Sequence, residues 1–218
     1  EVGTKRAFEA SVRTTEPWHD GPVRLERDSL GEVAVPADAY WGVNTARALE
    51  NFAITGRPIS DFPDFIVAYA RVKQAAARAN AEIGSLPQAR ADLIDAACSE
   101  IASGELLDQF VVDIMQGGAG TSTNMNVNEV IANRGLELGG HGKGEYEHLS
   151  PNDDVNRSQS TNDTYPTALK LAVDRQLNRL VAEMELLEES FSAKAVEFSR
   201  IIKVGRTQLQ DAVPMTLG

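Results

Sequence analysis

Residues 166–202, PTALKLAVDRQLNRLVAEMELLEESFSAKAVEFSRII, decide the fold class. Apolar side chains recur there every three or four residues, which is the period of an amphipathic α-helix. The stripe consists of Leu169, Val173, Leu177, Leu180, Met184, Leu187, Phe191, Ala195, Phe198 and Ile202. At 1.5 Å per residue this helix would be roughly 55 Å long, whereas globular helices average about three turns. Such a helix is typical of a bundle, so we expect further long helices from a C-terminal continuation, from other subunits or from both.

Three shorter helices are predicted upstream, at residues 62–84, 87–102 and 126–138. A proline stands at the start of each of the first two, and a glycine follows the end of each. In the third, Asn126 and Glu129 have the spacing of a capping box, which predicts that Asn126 is its N-cap.

The predicted fold class is mainly α with one small β-hairpin. The hairpin is predicted in RLERDSLGEVAVP (24–36), where apolar and polar residues alternate around a turn. We expect a mostly helical N-terminal domain over residues 24–160, and the start of an incomplete central helical bundle over residues 161–218. Residues 1–23 lack the apolar segment of a signal peptide and are predicted to be a flexible leader. Because Pro214 would start another helix near the end of the sequence, we expect a fragment of a longer polypeptide.

The composition is that of a globular protein, with 42% hydrophobic and 24% charged residues. The formal net charge of −11 argues against nucleic-acid binding, because no basic surface is available for phosphates. No apolar run approaches the ~20 residues of a membrane span. Cys98 is the only cysteine, which excludes an internal disulfide and favours a reducing cytoplasmic location. Because free cysteine usually behaves as a small hydrophobic residue, we expect Cys98 to lie in the core.

Three polar segments each precede a predicted helix or a proline-marked turn. They are MQGGAGTSTNMNVNEV (115–130), SPNDDVNRSQSTNDTYPT (150–167) and KVGRTQLQDAVPMTLG (203–218). Converging helix N-termini with hydroxyl and amide groups would bind a small anion such as a carboxylate. Three glycines would let the backbone approach that ligand, namely Gly117, Gly118 and Gly120. Helix capping alone also explains such residues, and both interpretations remain open.

Other chemistries have less support. No metal site is predicted, because the histidines lack metal-ligand spacing; they are His19, His141 and His148. GGAGTST is not followed by the Gly-Lys-Ser/Thr of a P-loop, and no Gly-x-Ser-x-Gly motif occurs. Three aspartates could act as acids or bases, although aspartate beside asparagine is typical of turns; they are Asp153, Asp154 and Asp163.

The three polar segments resemble conserved segments of the aspartase/class II fumarase superfamily, and the resemblance extends from about Arg24 to the end. Ala119 and Gln208 are similar to the aspartase branch, because fumarases usually have Ser and His there. The resemblance implies a reversible elimination of ammonia from L-aspartate that gives fumarate. In that reaction a serine removes a Cβ proton, and hydrogen-bond donors stabilise the aci-carboxylate intermediate. It also implies a homotetramer in which three subunits form each active site, without an organic cofactor but with divalent-cation activation in some members.

The resemblance also implies which residues contact the dicarboxylate. They are Thr121, Ser122, Asn124 as support, Ser160, Thr161, Asn162, Thr207 and Gln208. The family's GSSxMPxKxNP loop, with the serine base and a substrate-binding lysine, is not among these residues. We therefore assign no catalytic base and expect the isolated chain to be inactive. Asp154 replaces a family histidine linked to a second anion site, so we expect a turn-forming role for it.

Two alternatives remain. A class II fumarase would transform malate in place of aspartate. A helical scaffold or interaction fragment would have the same fold but would catalyse no reaction.

Overall fold

A computed structural model of the protein describes residues 21–116 and 118–218. Over these residues the fold is mainly α, as predicted, and it contains two separate antiparallel hairpins. Most of the predicted leader lies outside the described residues. The elements in chain order are β1 Val23–Asp28, β2 Gly31–Pro36, α1 Val43–Asn51, α2 Pro63–Glu82, α3 Gln88–Ser103, α4 Thr121–Leu138, α5 Thr161–Glu197, β3 Ile202–Thr207 and β4 Gln210–Thr216.

The chain forms two compact units. The first extends through Ala168, and the second covers Leu169–Gly218. The first unit therefore contains α1 to α4 and the beginning of α5, while the second contains the rest of α5 and the second hairpin.

The first hairpin confirms the sequence prediction. Its strands pair from Val23 with Pro36 to Asp28 with Gly31. Asp28 also closes the turn, because its carboxylate accepts the backbone N–H groups of Leu30 at 2.8 Å and Gly31 at 3.1 Å. The hairpin and its turn therefore lie where the alternation of apolar and polar residues predicts them.

The core of the first unit lies between helices α2, α3 and α4. These helices bury large side chains that include Ile66, Tyr69, Ile94, Ile101, Ile131 and Leu136. Cys98 on α3 is buried with them and unpaired, and burial raises the pKa of its thiol. This agrees with the expectation that Cys98 is a small core residue.

Helix α4 begins upstream of its predicted start, so the capping-box prediction is wrong. Asn126 lies inside the helix and is fully buried, where its amide bonds the backbone N–H of Val111 at 3.0 Å and the carbonyl of Gln109 at 3.1 Å. Glu129 is not a capping partner either, because its carboxylate accepts backbone N–H groups at the start of α1. Both side chains have distant partners, which the local spacing could not reveal.

Helix α5 has the length that the apolar stripe predicted, since its 37 residues extend roughly 55 Å. Its predicted end is wrong, because the helix ends at Glu197 and Ile202 begins β3. It starts at Thr161, upstream of Pro166. Ser160 forms this start, because its Oγ accepts the N–H of Asn162 at 3.2 Å and its carbonyl accepts that of Thr164 at 3.0 Å. Pro166 therefore lies within the helix and does not mark its beginning.

The segment after α5 forms a β-hairpin, so the predicted helix start at Pro214 is wrong. Pro214 lies in β4 and is paired with Val204 in β3. A two-stranded sheet has only edge strands, and proline is tolerated in an edge strand because its missing N–H is not needed there. Gln208 and Leu209 form the turn with positive φ angles of 49° and 64°, as a type I′ turn requires.

Candidate active-site segments

The first turn of α4 carries two hydroxyl groups, those of Thr121 and Ser122, that no group of residues 21–116 and 118–218 contacts by a hydrogen bond. Thr121 is exposed and Ser122 is partly buried. Within the described ranges, neither hydroxyl has a hydrogen-bond partner. The next N–H group, that of Thr123, donates to the side chain of Gln116 at 2.8 Å. Among the described residues, the N–H groups of Thr121 and Ser122 have no acceptor, which suits this helix N-terminus to bind an anion.

Asn124 is buried directly behind this turn and is engaged entirely within the protein. Its Oδ1 accepts from the hydroxyl of Tyr69 at 3.0 Å and from Nζ of Lys73 at 2.8 Å. Its Nδ2 donates to Oδ1 of Asn156 at 3.0 Å. In this structure Asn124 supports the turn from behind.

Lys73 is a buried cation that the sequence analysis missed. Its side chain is fully buried, and its Nζ also donates to the amide oxygens of Asn156 and Gln159, each at 3.0 Å. Burial lowers the pKa of Lys73 to about 7. A lysine among apolar side chains at helical spacing, between Tyr69 and Ala77, was the signal that could have identified it.

The start of α5 packs against the start of α4. The hydroxyl of Thr164 lies 3.1 Å from that of Tyr69 and 3.3 Å from Oδ1 of Asn124. The ring of Tyr165 occupies the space beside Gly120, where an added Cβ would lie 2.1 Å from a ring carbon. Gly120 therefore makes room for the packing of the two helices. The sequence analysis instead predicted that it lets the backbone approach a ligand.

These contacts bring together two of the three predicted substrate segments. The first contains Thr121 and Ser122, and the second contains Ser160, Thr161 and Asn162. Ser160 and Asn162 are exposed, and Thr161 is partly exposed. The third segment belongs to the second unit, where Thr207 ends β3 and Gln208 lies in the turn, both exposed. Gly117 lies outside the described residues.

Asp154 has the turn-forming environment that the sequence analysis expected. Its carboxylate accepts the N–H of Ser150 at 2.8 Å, inside the π-helical turn Pro151–Val155. It also pairs with the guanidinium of Arg90 through two contacts of 2.8 and 2.9 Å. Because Asp154 is almost completely buried and already paired, it is not free for acid–base chemistry.

Two of the histidines whose spacing does not predict a metal site lie side by side. The rings of His141 and His148 are stacked with centroids 3.8 Å apart, and the ligand atoms of both lie within 4.8 Å of a carboxylate oxygen of Glu145. His19 lies outside the described residues.

Membrane insertion through a helix has no support from the structure. Across residues 21–116 and 118–218, none of the helices combines the length and the apolar character needed to span a bilayer.

Comparison with known proteins agrees with the resemblance seen in the sequence. An aspartate ammonia-lyase of Escherichia coli (strain K12) is 58% identical over 197 residues, which are 90% of this chain and 41% of the relative. A crystal structure of a fumarate lyase:delta crystallin from Brucella melitensis bound to cobalt has 52% identity and a TM-score of 0.86. It matches over 90% of this chain and 43% of its own.

A class II fumarase from Schistosoma mansoni is more distant. It has 37% identity and a TM-score of 0.82, over 90% of this chain and 41% of the fumarase. The chain thus spans about two fifths of the length of the relatives that it matches. A family model described as Lyase matches residues 31–218, and the chain belongs to this lyase family.

Proposed function

We propose that this chain is part of a carbon–nitrogen lyase that reversibly eliminates ammonia from L-aspartate to give fumarate. The observation that carries the proposal is the pair of adjacent helix starts, with unoccupied hydroxyls at Thr121 and Ser122. The identity of 58% to an aspartate ammonia-lyase supports this substrate over others.

The proposed reaction removes a Cβ proton and breaks the Cα–N bond, so that the electron pair of the C–H bond becomes the new C=C bond. Before ammonia leaves, the β-carboxylate carries a second negative charge as an aci-carboxylate. Hydrogen-bond donors fixed at helix N-termini stabilise charge that develops during a reaction, without needing to reorganise. Thr121, Ser122, Ser160, Thr161 and Asn162 are the proposed donors from the first unit.

We also propose that the working enzyme is a homotetramer in which three subunits contribute to each active site, with Thr207 and Gln208 from one of them. The apolar stripe of α5 supports this assembly. Its members from Leu169 to Phe191 are 45–69% exposed in the single chain. We propose that the reaction needs no organic cofactor and that a divalent cation acts only as an activator.

The test uses the complete protein that contains this chain, assayed for the ultraviolet absorbance of fumarate with L-aspartate and L-malate in parallel. We expect fumarate from L-aspartate. Thr121→Val should reduce kcat/KM by about 10²-fold or more, as expected for the loss of a donor to developing charge. Ser190→Ala, an exposed position on α5, is the matched control and should leave kcat/KM unchanged.

The class II fumarase is the second candidate, because its fold matches the chain at a TM-score of 0.82. Fumarate from L-malate alone would replace the proposal with this activity. Activity with neither substrate would support the silent scaffold.

A further inference from the structure

The segment between α4 and the turn at Pro151 carries a small polar cluster, formed by His141, Glu145 and His148, and backbone hydrogen bonds hold this segment in place. The N–H of His141 donates to the carbonyl of Leu136 at 2.9 Å, and that of His148 donates to the carbonyl of Glu145 at 3.1 Å. Between them, the N–H of Gly144 donates to the side chain of Asn133 at 2.8 Å. The backbone therefore presents the three side chains of the cluster, His141, Glu145 and His148, from a fixed segment.

The cluster has the dimensions of a metal site. One potential ligand atom from each of its three residues lies within 4.8 Å of the other two. Nδ1 of His141 is 3.7 Å from Oε2 of Glu145. Two ligand atoms that bind one metal at about 2.0–2.1 Å lie roughly 3–4 Å apart. The ligand atoms are therefore close to the separations that one cation requires, and rotation of the side chains would complete the set.

A cation can reach the cluster from solvent, and the side chains of the cluster have room to rotate. The side chain of His141 is 36% exposed and that of Glu145 is 49% exposed. The nitrogen lone pairs lie in the ring planes, so the stacked imidazoles must rotate apart before both can bind one ion. Gly142 leaves room for the carboxylate, because an added Cβ would lie 2.9 Å from Oε1 of Glu145.

We propose that His141, Glu145 and His148 bind a divalent transition metal. Two imidazole nitrogens and one carboxylate oxygen favour Zn²⁺, Co²⁺ or Ni²⁺ over Mg²⁺ and Ca²⁺, which prefer oxygen ligands. Water fills the remaining coordination positions, since the site is open to solvent. The site lies outside the substrate segments, and its existence does not depend on the proposed lyase reaction.

Direct binding by the untagged chain tests the proposal, after dialysis against a chelator. Co²⁺ is titrated and followed by its visible absorption, and Zn²⁺ is titrated by calorimetry. We expect one equivalent to bind, with no comparable binding of Mg²⁺. Loss of a residue that only orients a metal ligand typically costs 10–100-fold in metal affinity, and loss of a ligand itself should cost at least as much. Each of His141→Ala, His148→Ala and Glu145→Gln should therefore weaken binding at least about tenfold.

The third histidine of the sequence supplies the matched control, because His19→Ala removes an imidazole that is not one of the three proposed ligands. Circular dichroism of each variant shows whether it is folded. Binding that is unchanged in His141→Ala and His148→Ala, or that is lost equally in His19→Ala, would overturn the proposal. So would the absence of binding in the parent chain. These readouts do not involve catalysis, so they are independent of the assay with L-aspartate.

Discussion

At the scale of single residues, Lys73 is a buried cation with neutral hydrogen-bond partners. Three amide oxygens, from Asn124, Asn156 and Gln159, accept from its Nζ. Three N–H donors match three acceptors only when the lysine is protonated, whereas burial favours the neutral form and lowers its pKa to about 7. Lys73 therefore connects α2 to both predicted substrate segments, although burial disfavours its charged form.

This lowered pKa predicts a pH dependence of stability. Because lysine in an unfolded chain has a pKa of about 10.4, the unfolded state binds more protons than the folded state between about pH 7 and pH 10. The free energy of unfolding should therefore rise with pH relative to Lys73→Met, with a slope of at most about 1.4 kcal/mol per pH unit. Urea denaturation at several pH values across that range measures both slopes. Lys170→Met, at an exposed position on α5, is the control. Parallel curves for the wild type and Lys73→Met would contradict the prediction.

Residues with a local role can be predicted from the sequence, whereas the partners of buried polar residues cannot. The turn-forming role of Asp154 was expected, and the structure shows it. Asn126 and Glu129 were assigned a local role, yet their partners lie far away in the sequence. A buried polar side chain needs a hydrogen-bond partner, but the sequence does not say which distant segment supplies it.

At the scale of elements, the starts of α4 and α5 form one packed unit. Gly120 is the N-cap of α4 with a left-handed φ of 93°, and the ring of Tyr165 from α5 lies against it. Both helix starts were predicted too far along the chain. The side chain that accepts the N–H of Thr123 at the α4 start is that of Gln116, which is not a common capping residue. Helix α5 contains Pro166, a type of residue that usually marks a helix start. The starts of α2 and α3 agree with the prolines that predicted them, whereas the starts of α4 and α5 depend on particular side-chain contacts.

Gly120→Ala should destabilise the protein through both backbone strain and collision with Tyr165. A left-handed conformation costs a residue with a Cβ about 1–2 kcal/mol, and overpacking adds about 1–3 kcal/mol. Gly118→Ala is the matched control, because Gly118 has a similar φ of 73° but its added Cβ would meet only a side-chain atom at 3.4 Å. Chemical denaturation of both variants separates the two effects. Equal losses of stability would show that Tyr165 does not limit this position.

At the scale of the whole molecule, the amphipathic helix α5 is the longest element of the described residues. The apolar stripe correctly predicted its length, and mainly α was correct for the fold class. The hairpin from β3 to β4 was missed, because Pro214 was interpreted as a helix start and not as an edge-strand residue. Two short strands with one proline give a weak sequence signal, whereas a stripe of many apolar residues gives a strong one.

The exposed stripe predicts that the chain self-associates. Its large apolar side chains include Leu180 and Met184, which are 53% and 58% exposed. Burying such groups between copies contributes about 25 cal/mol per Å² of apolar surface. Light scattering should therefore show a mass above that of one 23.6 kDa chain. Leu180→Glu should shift the mass towards the monomer. Ala182→Glu, on the opposite side of the helix, adds the same charge and should leave the mass unchanged. A monomeric parent chain would contradict the prediction.

The network around Asn124 also has a consequence for folding kinetics. The hydrogen bond from Tyr69 to Asn124 spans 55 positions, and that between Tyr69 and Thr164 spans 95. Closing such long loops is entropically unfavourable, so contacts between distant segments slow folding. The two predicted substrate segments are consequently aligned only after most of the first unit has condensed, and a partly folded nascent chain would not yet present the proposed dicarboxylate site.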